Sequence, residues 1–276
     1  MLAERTTGII ANQMTGNITK AGQVCILMIL GAIWLCLERY HGFYHDGMLY
    51  SMLALYKQHP ANFQNDLFVA FGSQDSFTVF PGLFSLLARG IGLDWAAFSL
   101  TAIGQVLWAG ALLLLVNRIT AGWRSVLAVA CVVFCSRYYD AYLMFSYAEP
   151  FPTPRIFSEA LSLFALTALF DRRYIKASTC LVVAMLFHPL MCLYVILLTV
   201  ITFLTDTKFP GRLRLALSIG GIVCGIALVI LRVHPFDGFL HPYDADWYRV
   251  FQATSETSTL PSLWTPGTAL RVVYLM

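Results

Sequence analysis

Long apolar stretches broken only by short polar turns run through this chain of 276 residues. Such stretches fold where lipid or other apolar segments cover them, and about 20 residues of helix cross a bilayer. They lie at 22–37, 77–93, 95–116, 125–136, 156–170, 177–204 and 215–232. The stretch 177–204 is too long for one untilted crossing. His188-Pro189 divides it into two short helices that meet at a tip, because proline disfavours helix in the residue before it and lacks a backbone donor. Only 12% of the residues are charged and 58% are hydrophobic, about half the charged share of an ordinary soluble domain. The pattern predicts an all-α fold, a polytopic transmembrane helical bundle forming a single transmembrane domain over 1–276. A net charge of +3 gives no basic field and excludes nucleic acid as a partner. Cys25, Cys36, Cys131, Cys135, Cys180, Cys192 and Cys224 all fall in or beside apolar runs, so they read as small apolar residues. Some twenty mixed polar residues precede the first run and no small-residue cleavage site follows it, so that run reads as a permanent anchor. At the other end a new apolar segment opens at Arg271-Val-Val-Tyr-Leu-Met276, as if the chain were the front part of something longer.

Basic loops stay cytoplasmic. The N-terminal tail (Arg5, Lys20), 117–124 (Arg118, Arg124), 171–176 (Arg172, Arg173, Lys176) and 206–214 (Lys208, Arg212, Arg214) are therefore placed inside, with the N-terminus. The stretches 38–76, 136–155 and 233–267 carry Asp46, Asp66, Asp75, Glu149, Asp237, Asp244, Asp246 and Glu256 and become three extracytoplasmic loops. Two apolar segments between 38–76 and 117–124 leave the crossing count one off. Pro81, Gly82, Arg89, Gly90 and Gly92 make 77–93 the segment better suited to a re-entrant or interfacial position. Within the first loop Met48, Leu49, Met52, Leu53 and Tyr56 recur at helical spacing, with Asp46, Tyr50 and Lys57 on another face. That spacing predicts an interfacial helix.

Three outer groups can carry chemistry. His41 and His45, four apart and next to Asp46, can hold a divalent cation, or Asp46 can act as general base toward an acceptor hydroxyl. Tyr147-Ala-Glu149-Pro-Phe-Pro-Thr-Pro-Arg155 presents Glu149 and Arg155 from a stretch stiffened by alternate prolines. Arg155 suits a phosphate clamp, and Glu159, one turn into the next helix, must face a polar cavity or pair with Arg155. His188 shares the outer face with these acids and can contact a phosphate or an acceptor. Capping, ion pairing and an interfacial polar layer are the structural readings of the same residues. The third loop sets Trp247 and Tyr248 beside His234, Asp237, His241, Asp244 and Asp246, a mixture that suits sugar stacking and an aromatic belt alike. No glycine-rich phosphate loop, nucleophile elbow or paired-cysteine site is present in the sequence.

The layout over roughly 20–210 resembles the membrane glycosyltransferases of the GT-C fold class. The resemblance rests on one N-terminal helix, an outer loop opening with an acid (His45-Asp46, followed by Tyr50) and a Pro-Gly-Leu-Phe entry to the next segment (Pro81 to Phe84). It continues in a second acidic loop (Glu149 to Arg155) and a basic inner turn before a helical pair tipped by His188-Pro189. It implies an integral, multipass enzyme of a bacterial inner membrane or its equivalent. Such an enzyme takes a sugar from a polyprenyl-phosphate donor to a lipid, glycan or protein acceptor on the extracytoplasmic face. By the same resemblance Asp46 and Glu149 are the catalytic acids, and His45, Tyr50, Arg155, Glu159 and His188 bind substrate. His-Asp stands where the class commonly has paired acids, which leaves open whether a divalent cation serves as cofactor. A secondary transporter, a membrane glycan polymerase or ligase and a non-catalytic membrane scaffold are the alternatives.

Overall fold

A computed structural model describes residues 20–70, 77–135, 138, 145–231, 244–255 and 266. Among these the chain is helical, with no strand beyond a single bridge between Tyr138 and Ser146. The helices are α1 (Lys20–Leu37), α2 (Asp46–Gln58), α3 (Phe80–Ile91), α4 (Leu93–Ile119), α5 (Trp123–Phe134), α6 (Arg155–Phe170), α7 (Tyr174–Phe187), α8 (Pro189–Thr205), α9 (Gly211–Ile230) and α10 (Ala245–Ser255). A 3-10 turn at Pro60–Phe63 and one helical turn at Leu67–Ala70 follow α2. Asp75, much of 136–144 and most of 233–267, with His234, Asp237 and His241, lie outside the described residues.

Among the described residues three helices are long and apolar enough to cross a bilayer: α1 with 18 residues, α4 with 27 and α9 with 20. At about 1.5 Å per residue they rise about 27, 40 and 30 Å against a hydrocarbon core of about 30 Å. Their composition marks a membrane protein. By the same measure α3, with 12 residues, rises only about 18 Å. Its boundary with α4 is Gly92 at φ 84°, a backbone conformation that a side chain resists, so the two cannot run on as one helix.

The core forms in two parts. Leu30 and Trp34 of α1, Tyr50 and Leu53 of α2, Phe80 and Phe84 of α3, Leu100 and Trp108 of α4, Val129 of α5 and Ile156 of α6 make the larger cluster. A second cluster, with Ala165, Ala177, Leu181, Ala184, Cys192 and Val195, holds the lower half of α6 against α7 and α8. Small residues let these helices approach closely, as helices do in lipid. α4 and α6 approach closely at Gly104, where a β-carbon would lie 2.6 Å from Ile156 Cγ2. α7 ends at Phe187 and α8 starts at Pro189, so the chain turns at His188.

The face of α2 departs from the sequence expectation. Gly47, Tyr50, Ser51, Leu53 and Ala54 are its buried residues, whereas Met48, assigned to the apolar stripe, is 58% exposed. Tyr50 thus points into the protein, its ring 5.4 Å from that of Phe80 and edge-on to it. The covering partners explain the rotation: α3 packs along this face, and a β-carbon on Gly47 would lie 3.2 Å from Pro152 Cδ.

Candidate active site

The second loop brings its acid indoors. Every residue from Ala148 to Ala160 is buried, so the proline-spaced segment is packed as a core element. Glu149 is 1% exposed. Two stabilising contacts fix the segment from outside: the His41 amide donates to the Pro150 carbonyl at 2.9 Å, and Gln105, from mid-α4, donates to the carbonyl of Ala148. Gln105 is in turn held by the indole of Trp34, which donates to its Oε1 at 2.9 Å while stacking on Trp108 at 5.3 Å.

Arg155, the first residue of α6, stands between the two candidate acids. Its Nε donates to Glu149 Oε1 and Oε2 at 3.0 and 2.9 Å, and its Nη1 donates to Asp46 Oδ2 at 2.6 Å. Residues 109 and 6 positions away in sequence thereby share one guanidinium. The plane of Arg155 also lies over the Phe145 ring, 5.1 Å from its centre. Nη2 lies 2.8 Å from Glu149 Oε1 in an ion-pair contact, yet has no hydrogen-bond partner among the described residues. Since guanidinium keeps its charge in proteins, two carboxylates and one cation leave this group at −1 when both acids are ionised.

The two acids differ in access. Asp46 opens α2 with its side chain 23% exposed, and its Oδ1 lies 3.1 Å from His45 Nδ1. Burial pushes the Glu149 carboxyl above the ordinary carboxylate range, while the Arg155 guanidinium and the Thr153 hydroxyl pull it the other way. Burial likewise raises the Tyr50 phenol well above its usual value, which keeps it a neutral hydroxyl beside the charged group. Each acid follows a non-glycine residue with positive φ, His45 at 48° and Ala148 at 47°. Such backbone costs on the order of 1–3 kcal/mol and recurs where geometry serves a site.

Five of the seven sequence candidates share this neighbourhood: Asp46, His45, Tyr50, Glu149 and Arg155. His188 reaches it from the α7–α8 turn, where its carbonyl accepts from Ser158 Oγ at 2.9 Å. Burial and the facing Arg155 lower its imidazole to about 4, with Asp46 opposing, so it is neutral at pH 7. Of the two expectations for Glu159, a polar cavity or a pair with Arg155, the pairing is not what its side chain makes. Its Oε2 accepts the Ala148 amide at 3.1 Å, bracing the strained residue ahead of Glu149. Asp66 is a cap, accepting from the Phe68 and Val69 amides at 2.9 and 3.1 Å. Among the described residues no three His, Cys, Asp or Glu side chains converge as a metal site, and His41 is an exposed residue facing Tyr44.

Sequence reasoning missed Gln105, Trp34 and Ser158. A glutamine in the middle of a 27-residue apolar helix was the available signal, because an amide there must find a partner inside the protein. Comparisons with protein families, with curated proteins and with solved structures gave no match.

Proposed function

We propose that the chain is an integral membrane glycosyltransferase of the GT-C type, moving a sugar from a polyprenyl-phosphate donor to a lipid, glycan or protein acceptor at the extracytoplasmic face. The observation that carries the reading is the single guanidinium of Arg155, at the start of α6, held by Asp46 at the start of α2 and by Glu149 of the proline-spaced segment. The reaction needs a base, a phosphate clamp and an acceptor at the level where a lipid-linked phosphate emerges. Asp46 opens α2, Arg155 opens α6 and His188 sits in the α7–α8 turn, so the polar groups converge where chain segments meet.

In this reading Asp46, the acid open to solvent, takes the proton of the acceptor hydroxyl as its oxygen attacks the anomeric carbon. The bond from that carbon to the phosphate oxygen breaks, and the phosphate leaves with the electron pair. Arg155 stabilises the charge growing on the leaving phosphate, its Nη2 having no hydrogen-bond acceptor among the described residues beyond the ion-pair contact with Glu149. Glu149, nearly inaccessible, orients Arg155.

The test is release of polyprenyl phosphate by the full chain in nanodiscs, supplied with polyprenyl-phosphate sugars and candidate acceptors. Asp46→Asn should lower turnover about 10²–10⁴-fold, the usual range for a lost general base. Glu149→Gln should also lower it. Wild-type turnover in both variants would overturn the assignment.

A further inference from the structure

The opposite end of α6 carries a second polar group. Fifteen residues separate Arg155 from Phe170 along this helix, a rise of about 22 Å. There the α6–α7 turn and the end of α8 enclose a cleft of about 670 Å³ lined by Arg172, Arg173, Lys176, Tyr174, Phe203 and Phe209. No acid lines it.

The cleft is organised by one buried carboxylate behind it. Asp206 accepts from Arg172 Nη1 at 2.7 Å, from the Tyr174 hydroxyl at 2.7 Å and from the Lys208 amide at 3.0 Å. Tyr174, Phe203 and Phe209 pack edge-on or tilted against one another with ring centres 5.1–5.6 Å apart, forming an apolar floor. Arg172 is thus neutralised, whereas the other two cations are held loosely or not at all. Arg173 comes no nearer than 3.8 Å to Asp171, which is already engaged by Arg118, and Lys176 makes no ion pair among the described residues. Both side chains are exposed at the rim. Beside them Ile175 is 85% exposed, and the outer faces of α8 and α9 continue the apolar surface through Leu204, Leu213 and Leu217.

We propose that this cleft binds an anionic phospholipid of the leaflet opposite the Asp46–Glu149–Arg155 group. Arg173 and Lys176 take the phosphodiester, and Ile175 with the aromatic floor takes the start of an acyl chain. Two exposed cations, Arg173 paired only loosely with Asp171 and Lys176 without an ion pair among the described residues, stand above an apolar wall and match a ligand that is anionic at one end and hydrocarbon at the other. A free phosphate would use only the first half of that surface. Basic pockets at helix ends recognise lipid headgroups in this way. The inference is independent of the sugar-transfer reading, since neither the residues nor the readout involves that site.

The test uses the purified full chain in phosphatidylcholine nanodiscs doped with phosphatidylglycerol, transferred to detergent and analysed by native mass spectrometry. The wild type should retain phosphatidylglycerol in preference to phosphatidylcholine. The double change Arg173→Gln and Lys176→Gln should weaken retention about thirtyfold, each basic side chain near an anionic headgroup contributing about a fivefold factor. Arg173→Lys with Lys176→Arg should keep it. Equal retention of the two lipids by the wild type overturns the proposal without recourse to any variant. Unchanged retention in the glutamine pair also overturns it, as does release of the lipid by millimolar inorganic phosphate, which would mark a site for the free anion.

Discussion

Arg155 is buried with two acids on it, and the energetic weight of that arrangement falls on whichever partner is left alone. Arg155→Ala strands Glu149 in an apolar setting, a change that costs about 3–5 kcal/mol in buried pairs. Arg155→Lys should recover only part, because an ammonium is a point charge without the planar fork that serves both acids. Urea unfolding of the chain in detergent should rank the three proteins wild type, lysine variant, alanine variant. His188 supplies the pH signature. Its folded value of about 4 lies below the ordinary 6.5, so between those limits the unfolded chain takes up a proton that the folded chain refuses. Stability from this residue is therefore present above pH 6.5 and lost as the pH falls toward 4. His188→Gln should flatten the melting temperature between pH 7 and 4.5 relative to wild type, and identical slopes would refute the effect. Asp46, Glu149, Arg155 and His188 could be picked from the sequence because charged or polar residues beside apolar runs are few. Their mutual bonding could not, since a separation of 109 residues is closed only by the packing of α2 on the proline segment.

Elements were legible in proportion to how far they depend on their own sequence. The break at His188 follows from proline chemistry alone, and the apolar runs give helices close to their expected bounds. The face of α2 does not follow, because the stripe from Met48 to Tyr56 and the one through Gly47, Tyr50 and Ala54 are both plausible until α3 and Pro152 cover one of them. Close contacts between elements were equally hidden. Gly104 looks like any glycine in an apolar helix, yet it is where α4 admits the branched side chain of Ile156. Gly104→Ala should destabilise the chain by about 1–3 kcal/mol through overpacking, and Ile156→Ala, which removes the clashing Cγ2, should cost less in that background than alone. Additive effects in that double-mutant cycle would show that the two positions do not touch energetically.

At the scale of the molecule, the two polar groups lie at opposite ends of α6, so the reading of this chain as membrane-spanning carries a prediction of sidedness. In a cysteine-free background, His59→Cys beside the end of α2 and Lys208→Cys in the α8–α9 turn are both exposed positions. An impermeant maleimide should label the first from the extracytoplasmic side and the second only after the membrane is opened. Labelling of both from one side would contradict the charge-based orientation. Among the described residues α1, α4 and α9 are the helices long and apolar enough to cross.

The paired left-handed residues His45 and Ala148 have a consequence for engineering. Each acts as a cocked hinge directly upstream of an acid, and glycine would let either relax. Ala148→Gly would trade a forced aim for slack: a chain no harder to fold, whose Glu149 samples a wider arc and whose grip on Arg155 loosens. Robustness and accuracy would then move in opposite directions through the loss of one methyl group.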